Sequence, residues 1–334
     1  MLFRPVISQK SNGSEEIYAK GTTGGILEQE PGFRNSNEVK MKKEQKVQDT
    51  ARWIETIIKD FINLSPENTL KNSTNDTAWD DPLVGFSCGD DPIYQSYKEH
   101  VGPFHWTPLE LFNMTFPQLK VAASDLTVIS WILPQTEKTK ADLRKETVYP
   151  PESCARARIF GEEVNVKLRK HVVETLHLVG VEAVAPILSP HWTTEMSERY
   201  GFASTWSERH AAHASGLGTF GLCDGLITPV GKAMRCGSVV ARLQIPPTHR
   251  PYKHHHEYCL FYTHGTCKKC IQRCPVGAVN ESGHDKLKCM AYVLQAMKAF
   301  VTSHYGFEGY GCGFCQSGVP CESGIPLTAG HEKN

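Results

Sequence analysis

Three of the twelve cysteines in this chain of 334 residues stand as Cys267-Lys-Lys-Cys270-Ile-Gln-Arg-Cys274, immediately before Pro275. Two-residue spacers let the backbone wrap one corner of an iron–sulfur cube, and the cysteine before proline turns away to serve a second cube. A looser set follows: Cys289, then Cys312-Gly-Phe-Cys315, then Cys321. Cys259 lies eight residues ahead of Cys267 and supplies an eighth thiolate. His264, where a compact ferredoxin motif has its first cysteine, is the alternative ligand. Interleaving then assigns Cys259, Cys267, Cys270 and Cys321 to one [4Fe–4S] cluster and Cys274, Cys289, Cys312 and Cys315 to the other.

Paired Cys-x2-Cys units also bind zinc, which makes a zinc-stabilised binding protein the plain competitor. The three-residue spacer into Cys274-Pro275 speaks for iron–sulfur instead. Cys88, Cys154, Cys223 and Cys236 read as small buried hydrophobes. His254, His255 and His256 read as a solvated linker, because no second ligand set accompanies them.

The chain carries 36 basic and 36 acidic side chains, so it is not built mainly to hold nucleic acid. No apolar run approaches the roughly 20 residues of a bilayer span, and the first residues lack the apolar core of a secretory signal. Both features predict a cytoplasmic protein without membrane contact. In that reducing compartment cysteines serve as metal ligands rather than disulfides.

The elements that must position these groups follow from periodicity. Residues 1–40 are polar and rich in Gly and Ser, which predicts a flexible arm; Met41, just beyond, is a possible second start. Val47, Ala51, Ile54, Ile58 and Phe61 recur at helical spacing and end near Pro66. Residues 68–118 are dense in turn signals and read as loops with short helices, Asp90 and Asp91 among the turn formers. Leu126–Leu133, closed by Pro134, reads as a buried strand. Val164, Leu168, Val172, Leu176 and Val179 make a second helix stopped by Gly180. A strand at 181–188, a helix capped by Ser207, and strands at 225–229 and 238–245 complete an alternating pattern. The reading is an α/β (α+β) core over 41–245, then a cysteine-rich domain over 246–334.

Glu208-Arg209, Ala212, Gly216-Leu217-Gly218, Gly221, Leu226-Ile227 and Gly237-Ser238 stand in the order and spacing of epoxyqueuosine reductases. Lys286 to Cys289, followed by Gly311 to Gln316, resembles that family's second cluster half. The similarity spans residues 120–325 and is strongest after Tyr200; the superfamily also contains corrinoid-dependent reductive dehalogenases. It implies a nitroreductase-like core holding cobalamin, with a ferredoxin-like double-cluster domain over it. The clusters would reduce cobalt to Co(I), which would remove oxygen or halogen from a substrate while the protein supplies position and a proton donor. Gly216, Leu217, Gly218, Gly221, Gly237 and Ser238 would line the corrinoid, the glycines allowing close backbone approach. The electron donor would be of ferredoxin or flavodoxin type.

Departures from the pattern shape the reading. Phe202 stands where that family carries its catalytic aspartate, and Leu222 and Cys223 replace a lysine and an asparagine. Pro320-Cys321 reverses the usual order, and no helical tRNA-binding extension follows. A small-molecule substrate is therefore expected ahead of tRNA. Tyr200 is the candidate proton donor, because dehalogenases of the superfamily use a tyrosine and Arg199 or Arg209 is near in sequence. His210 and His213, on one helix face, read as ordinary polar residues. Two other readings stay open: an iron–sulfur reductase or electron-transfer protein with flavin or no core cofactor, and an epoxyqueuosine reductase proper acting on tRNA.

Overall fold

A computed structural model of the chain describes residues 36–327. Residues 1–35 of the expected arm lie outside the described residues, and the first helix, α1 (Ser36–Leu64), begins before Met41. The described residues from Lys43 onward form one compact unit. Ile54, Ile58 and Ile62 recur every fourth residue along α1 and are all buried. Each such side chain contributes roughly 1.5–3 kcal/mol, enough to hold the helix by this one edge. Pro66 disfavours helix at Ser65, and α1 stops there.

Down the chain follow β1 (Leu83–Cys88), α2 (Pro92–Val101), α3 (Pro108–Thr115), β2 (Thr127–Pro134), α4 (Glu137–Lys145) and α5 (Glu152–Leu178). Then come β3 (Ala183–Val184), β4 (Thr194–Ser197), β5 (Gly201–Ser204), α6 (Glu208–Ala214), β6 (Thr219–Phe220), β7 (Leu226–Ile227) and β8 (Met234–Ala241). The cysteine-rich tail adds α7 (Leu260–His264), α8 (Lys269–Arg273), β9 (Val279–Asn280), β10 (Gly283–His284), α9 (Lys286–Tyr292) and α10 (Lys298–Tyr305).

The main sheet runs β1-β2-β8-β3, with every pair antiparallel. Helix–strand alternation had pointed toward an α/β pattern; the antiparallel pairing puts the sheet on the α+β side of that expectation. All eight residues of β2 are buried, which explains its largely apolar run, interrupted by Ser130. One face, with Ile129, Trp131 and Leu133, packs on α1 and on Val164, Leu168, Val172 and Leu176 of α5. The other, with Val128 and Val240, packs on Tyr94, Tyr97, Phe112, Ala211 and Ala214 from α2, α3 and α6. The result is a sheet covered by helices on both sides.

The expected strand at 181–188 shrinks to two residues followed by a 3-10 turn, Pro186–Leu188, because Pro186 cannot donate to a ladder. The expected strand at 238–245 instead starts at Met234 and ends at Ala241. Strand β1 was hidden inside the turn-rich 68–118 stretch. Its Gly85 interrupts the apolar signal, yet is required: a Cβ there would collide with the Ser215 carbonyl and Leu217. Among the described residues no helix is long and apolar enough to cross a membrane.

Candidate functional site

Leu222, Cys223 and Ile227, around β7, pack against Cys259, Cys270, Val279, Val319 and Cys321 of the tail, with Cys274 and Cys315 at the margin. Cys312 lies in a neighbouring cluster with Leu143, Cys154 and Phe314. Burial pushes the Cys312 thiol up to about 11, and the nearby Cys289 and Cys274 add to this. Cys259, Cys270 and Cys321 thus share one nest that Cys274 borders, while Cys274 and Cys289 are also near enough to act on Cys312. Cys315 stands between, held up by Cys223 and burial and also feeling Cys312. Cys267 is half-buried and outside both clusters.

Of the two residues that could supply the eighth ligand, Cys259 is buried in this nest, whereas His264 is exposed and shares a 2.7 Å hydrogen bond with the Thr263 hydroxyl. The Ala278 amide donates to Cys274 Sγ at 3.2 Å, the kind of contact that stabilises a thiolate. Among the described residues no three cysteine, histidine or acidic side chains already stand in a metal-holding arrangement. The thiols are gathered rather than set around a point.

Lys232 is what tests their chemistry. Its side chain is 2% exposed. Its Nζ donates to Cys223 Sγ at 3.2 Å, and its backbone N–H reaches the Cys321 and Glu322 carbonyls at 2.8 and 3.0 Å. Gly225 leaves room for its stem: a Cβ there would come within 2.8 Å of Lys232 Cδ and 3.4 Å of Cys223 Sγ. A buried ammonium requires an anion, and among the described residues no carboxylate bonds this one. Burial works against its charge, but Cys223, Cys321, Cys315 and Cys270 outweigh it and hold the lysine above its ordinary value. A thiolate-bound, net-negative metal group fits this donor set.

Cys223, read from sequence as a small buried hydrophobe, is therefore part of the nest. Hydrogen bonds from Cys270 and Cys315, and beyond them Lys232, hold it well below the usual thiol value. His284 extends the nest outward, with Nδ1 3.1 Å from Asp224 Oδ2. Burial disfavours its cation, but Asp224 and Cys289 push it up to about 10.

Tyr200 lies in the loop between β4 and β5, half-buried, with its hydroxyl hydrogen-bonded to His100 Nε2. Arg199 Nη1 donates to His100 Nδ1 at 2.8 Å. Burial raises the Tyr200 phenol and lowers His100, with Arg199 adding to the latter. Lys286 Nζ sits 4.8 Å from the Tyr200 ring centre and donates to the Phe202 carbonyl at 3.1 Å. Since Lys286 opens α9, the helix of Cys289, this lysine joins the Tyr200 corner to the thiols. His210, half-buried, and His213, buried, lie against Tyr97 and Phe220, and among the described residues His213 Nε2 has no hydrogen-bond partner.

The residues expected to line a corrinoid are turned to other uses. The space a Cβ would take at Gly216, φ +78°, holds the His249 carbonyl; at Gly218 it holds the Ile227 carbonyl, and at Gly237 the Trp131 indole. Gly221 faces the Ile227 side chain, and Leu217 is buried beside Ile132, Ala212 and Leu226. Ser238 is fully buried, donating to Glu208 and accepting from Trp206 Nε1 at 3.1 Å. At Gly216, Gly218 and Gly237 the Cβ side of the backbone is thus taken by the chain's own atoms and is not open to a large planar ligand.

Sequence reasoning missed Lys232, His100 and the role of Cys223. A lysine framed by Gly225 and Gly231 was the available signal, since glycines mark close backbone approach.

No family model matches the chain. A stretch of 125 residues is 32% identical to epoxyqueuosine reductase from Bacillus anthracis, covering 36% of this chain and 30% of that protein. The Bacillus cereus epoxyqueuosine reductase matches to the same extent. The matched stretch thus spans under a third of these relatives' length. Among solved structures, Bacillus subtilis epoxyqueuosine reductase overlaps 73% of this chain and 62% of its own, at 18% identity and a TM-score of 0.40. A catabolic reductive dehalogenase overlaps 86% of this chain and 40% of its own, at 14% identity and a TM-score of 0.46. The resemblance to epoxyqueuosine reductases, drawn from motifs, holds in the aligned sequence.

Proposed function

We propose that the chain is an iron–sulfur oxidoreductase, a reductase of the kind its relatives represent. Cys259, Cys267, Cys270 and Cys321 bind one [4Fe–4S] cluster in this reading, and Cys274, Cys289, Cys312 and Cys315 the other. The observation that carries it is Lys232, an ammonium buried among thiols with no carboxylate bonded to it among the described residues. When bound, the clusters pass electrons one at a time. A nitroreductase-like core over 41–245 and a ferredoxin-like domain over 246–334 are the architecture this reading assumes.

The remaining work falls to the chain's own side chains. A guanidinium can only donate, so His100 Nδ1 accepts from Arg199, and the neutral imidazole carries its hydrogen on Nε2. That hydrogen goes to the Tyr200 oxygen. The phenol hydrogen is then free to be given to a substrate, which makes Tyr200 the candidate acid and His100 its positioning residue. The donor is of ferredoxin or flavodoxin type, the substrate a small molecule, and the compartment the cytoplasm.

Cobalamin as a second cofactor lacks the lining expected for it, and no step is derived through it. The filled glycine positions favour the second reading, an iron–sulfur reductase or electron-transfer protein with flavin or no core cofactor. Iron, sulfide, cobalt, flavin and zinc per chain, measured after anaerobic purification, test both. About eight irons per chain are expected for two cubanes. Stoichiometric zinc with near-zero iron overturns the proposal, and stoichiometric cobalt restores the corrinoid.

A further inference from the structure

We propose that Lys232 sets the reduction potential of the iron–sulfur cluster it faces, acting as a fixed positive charge buried against the thiolates. The inference rests on the cluster reading above. Three independent contacts place the charge. The backbone of Lys232 is tied to the carbonyl of Cys321, a residue of the first ligand set. Its stem runs over Gly225, where no side chain stands in the way. Its ammonium ends on Cys223, which packs with Cys270 of the first set and donates to the Cys315 carbonyl of the second at 3.7 Å.

Lys232 is anchored at both ends, so its charge cannot swing to solvent as a surface lysine's does. Surface charges near a cluster are screened by water and salt, whereas a charge 2% exposed acts through low dielectric. Reduction adds one electron and makes the cluster one unit more negative. A neighbouring fixed cation stabilises the reduced form more than the oxidised form, and the potential rises. Cys223 carries the contact between the lysine and the ligands.

The experiment is an EPR-monitored redox titration of the anaerobically reconstituted full chain, with iron and sulfide counted on each sample. Wild type is compared with Lys232→Met, Lys232→Gln and Lys232→Arg. In the two neutral variants at least one midpoint falls, changing the reduced-to-oxidised ratio at fixed potential tenfold or more, about 59 mV for a one-electron couple. Lys232→Arg stays near wild type. Neutral variants that keep their iron and their midpoints overturn the proposal. Should the neutral variants lose iron, retention of iron by Lys232→Arg supports the need for charge, and loss from Lys232→Arg as well overturns it. Wild type that binds no iron defeats the cluster reading itself, a separate result.

Discussion

Arg169 and Lys232 are buried to nearly the same depth, 1% and 2% exposed, yet their surroundings differ in kind. Arg169 lies between α5 and the sheet, 3.0 Å from both Glu208 and Glu162 and 3.1 Å from the Cys236 carbonyl. Glu208 is itself held by Ser238. The charge is neutralised by the chain's own carboxylates, in a network that also includes Trp131, Asn165 and the Cys236 carbonyl. Among the described residues the Lys232 ammonium bonds only the Cys223 sulfur. Two cations of nearly equal burial thus sit in two kinds of interior: one neutralised by the chain's own carboxylates, the other, in the proposed reading, by an anionic group bound by thiolates.

The comparison is broken most forcefully at Arg169. Arg169→Met leaves Glu208 buried and unpaired, and stability in urea should drop by about 3–5 kcal/mol. A loss below about 1 kcal/mol, the range of exposed pairs, would show that the carboxylates do not depend on this arginine.

At the other cation, Cys270→Ala and Cys321→Ala should each remove about half of the bound iron. The double variant should lose no more than either single one, because both thiols serve one cluster. Combining Cys270→Ala with Cys312→Ala should remove nearly all of it. Iron and sulfide assays check this, and equal losses from every combination would reject the division into two sets.

A pH series sharpens the contrast at a site free of thiols. Burial lowers His213 from its ordinary value to about 3, so the folded protein resists protonating it. The unfolded chain takes up the proton near pH 6.5. This contribution to stability is present above pH 6.5 and is lost as pH falls from there toward 3. His213→Phe should flatten the urea midpoint against pH across that window. An unchanged slope would mean that other groups govern acid unfolding.

The smallest effect belongs to an exposed pair. Lys98 and Glu110 bridge α2 and α3 with the carboxylate half in solvent. Lys98→Ala should cost about 0.2–1 kcal/mol, less in high salt.

Much of the scaffold was legible because its signals are local. The apolar run at 126–133 is β2, the stripe from Val164 to Leu176 is the buried edge of α5, and Ser207 caps α6 by accepting from the His210 amide. The site was legible only in part. Spacing singled out the candidate thiols, with His264 as the alternative to Cys259; only the structure shows Cys259 buried and His264 exposed. The glycines read as ligand contacts are filled by His249, Ile227 and Trp131, partners remote in sequence that no local pattern reveals. β1 escaped for the same reason: Gly85 exists to admit Ser215 and Leu217, more than a hundred residues away.

By itself the sequence singled out the residues proposed for sulfur chemistry and determined which helix faces turn inward, because cysteine spacing and amphipathic period are properties of short stretches. Only the tertiary structure decided that the turn from Leu222 to Lys232 docks among Cys259, Cys270 and Cys321, bringing Cys223 and a cation to these thiols. That decision rests on backbone approach at Gly225 and Gly231, where the Lys232 stem and the Glu322 carbonyl take the space of absent side chains. Burial, which depends on the whole fold, then sets the charge each group can bear.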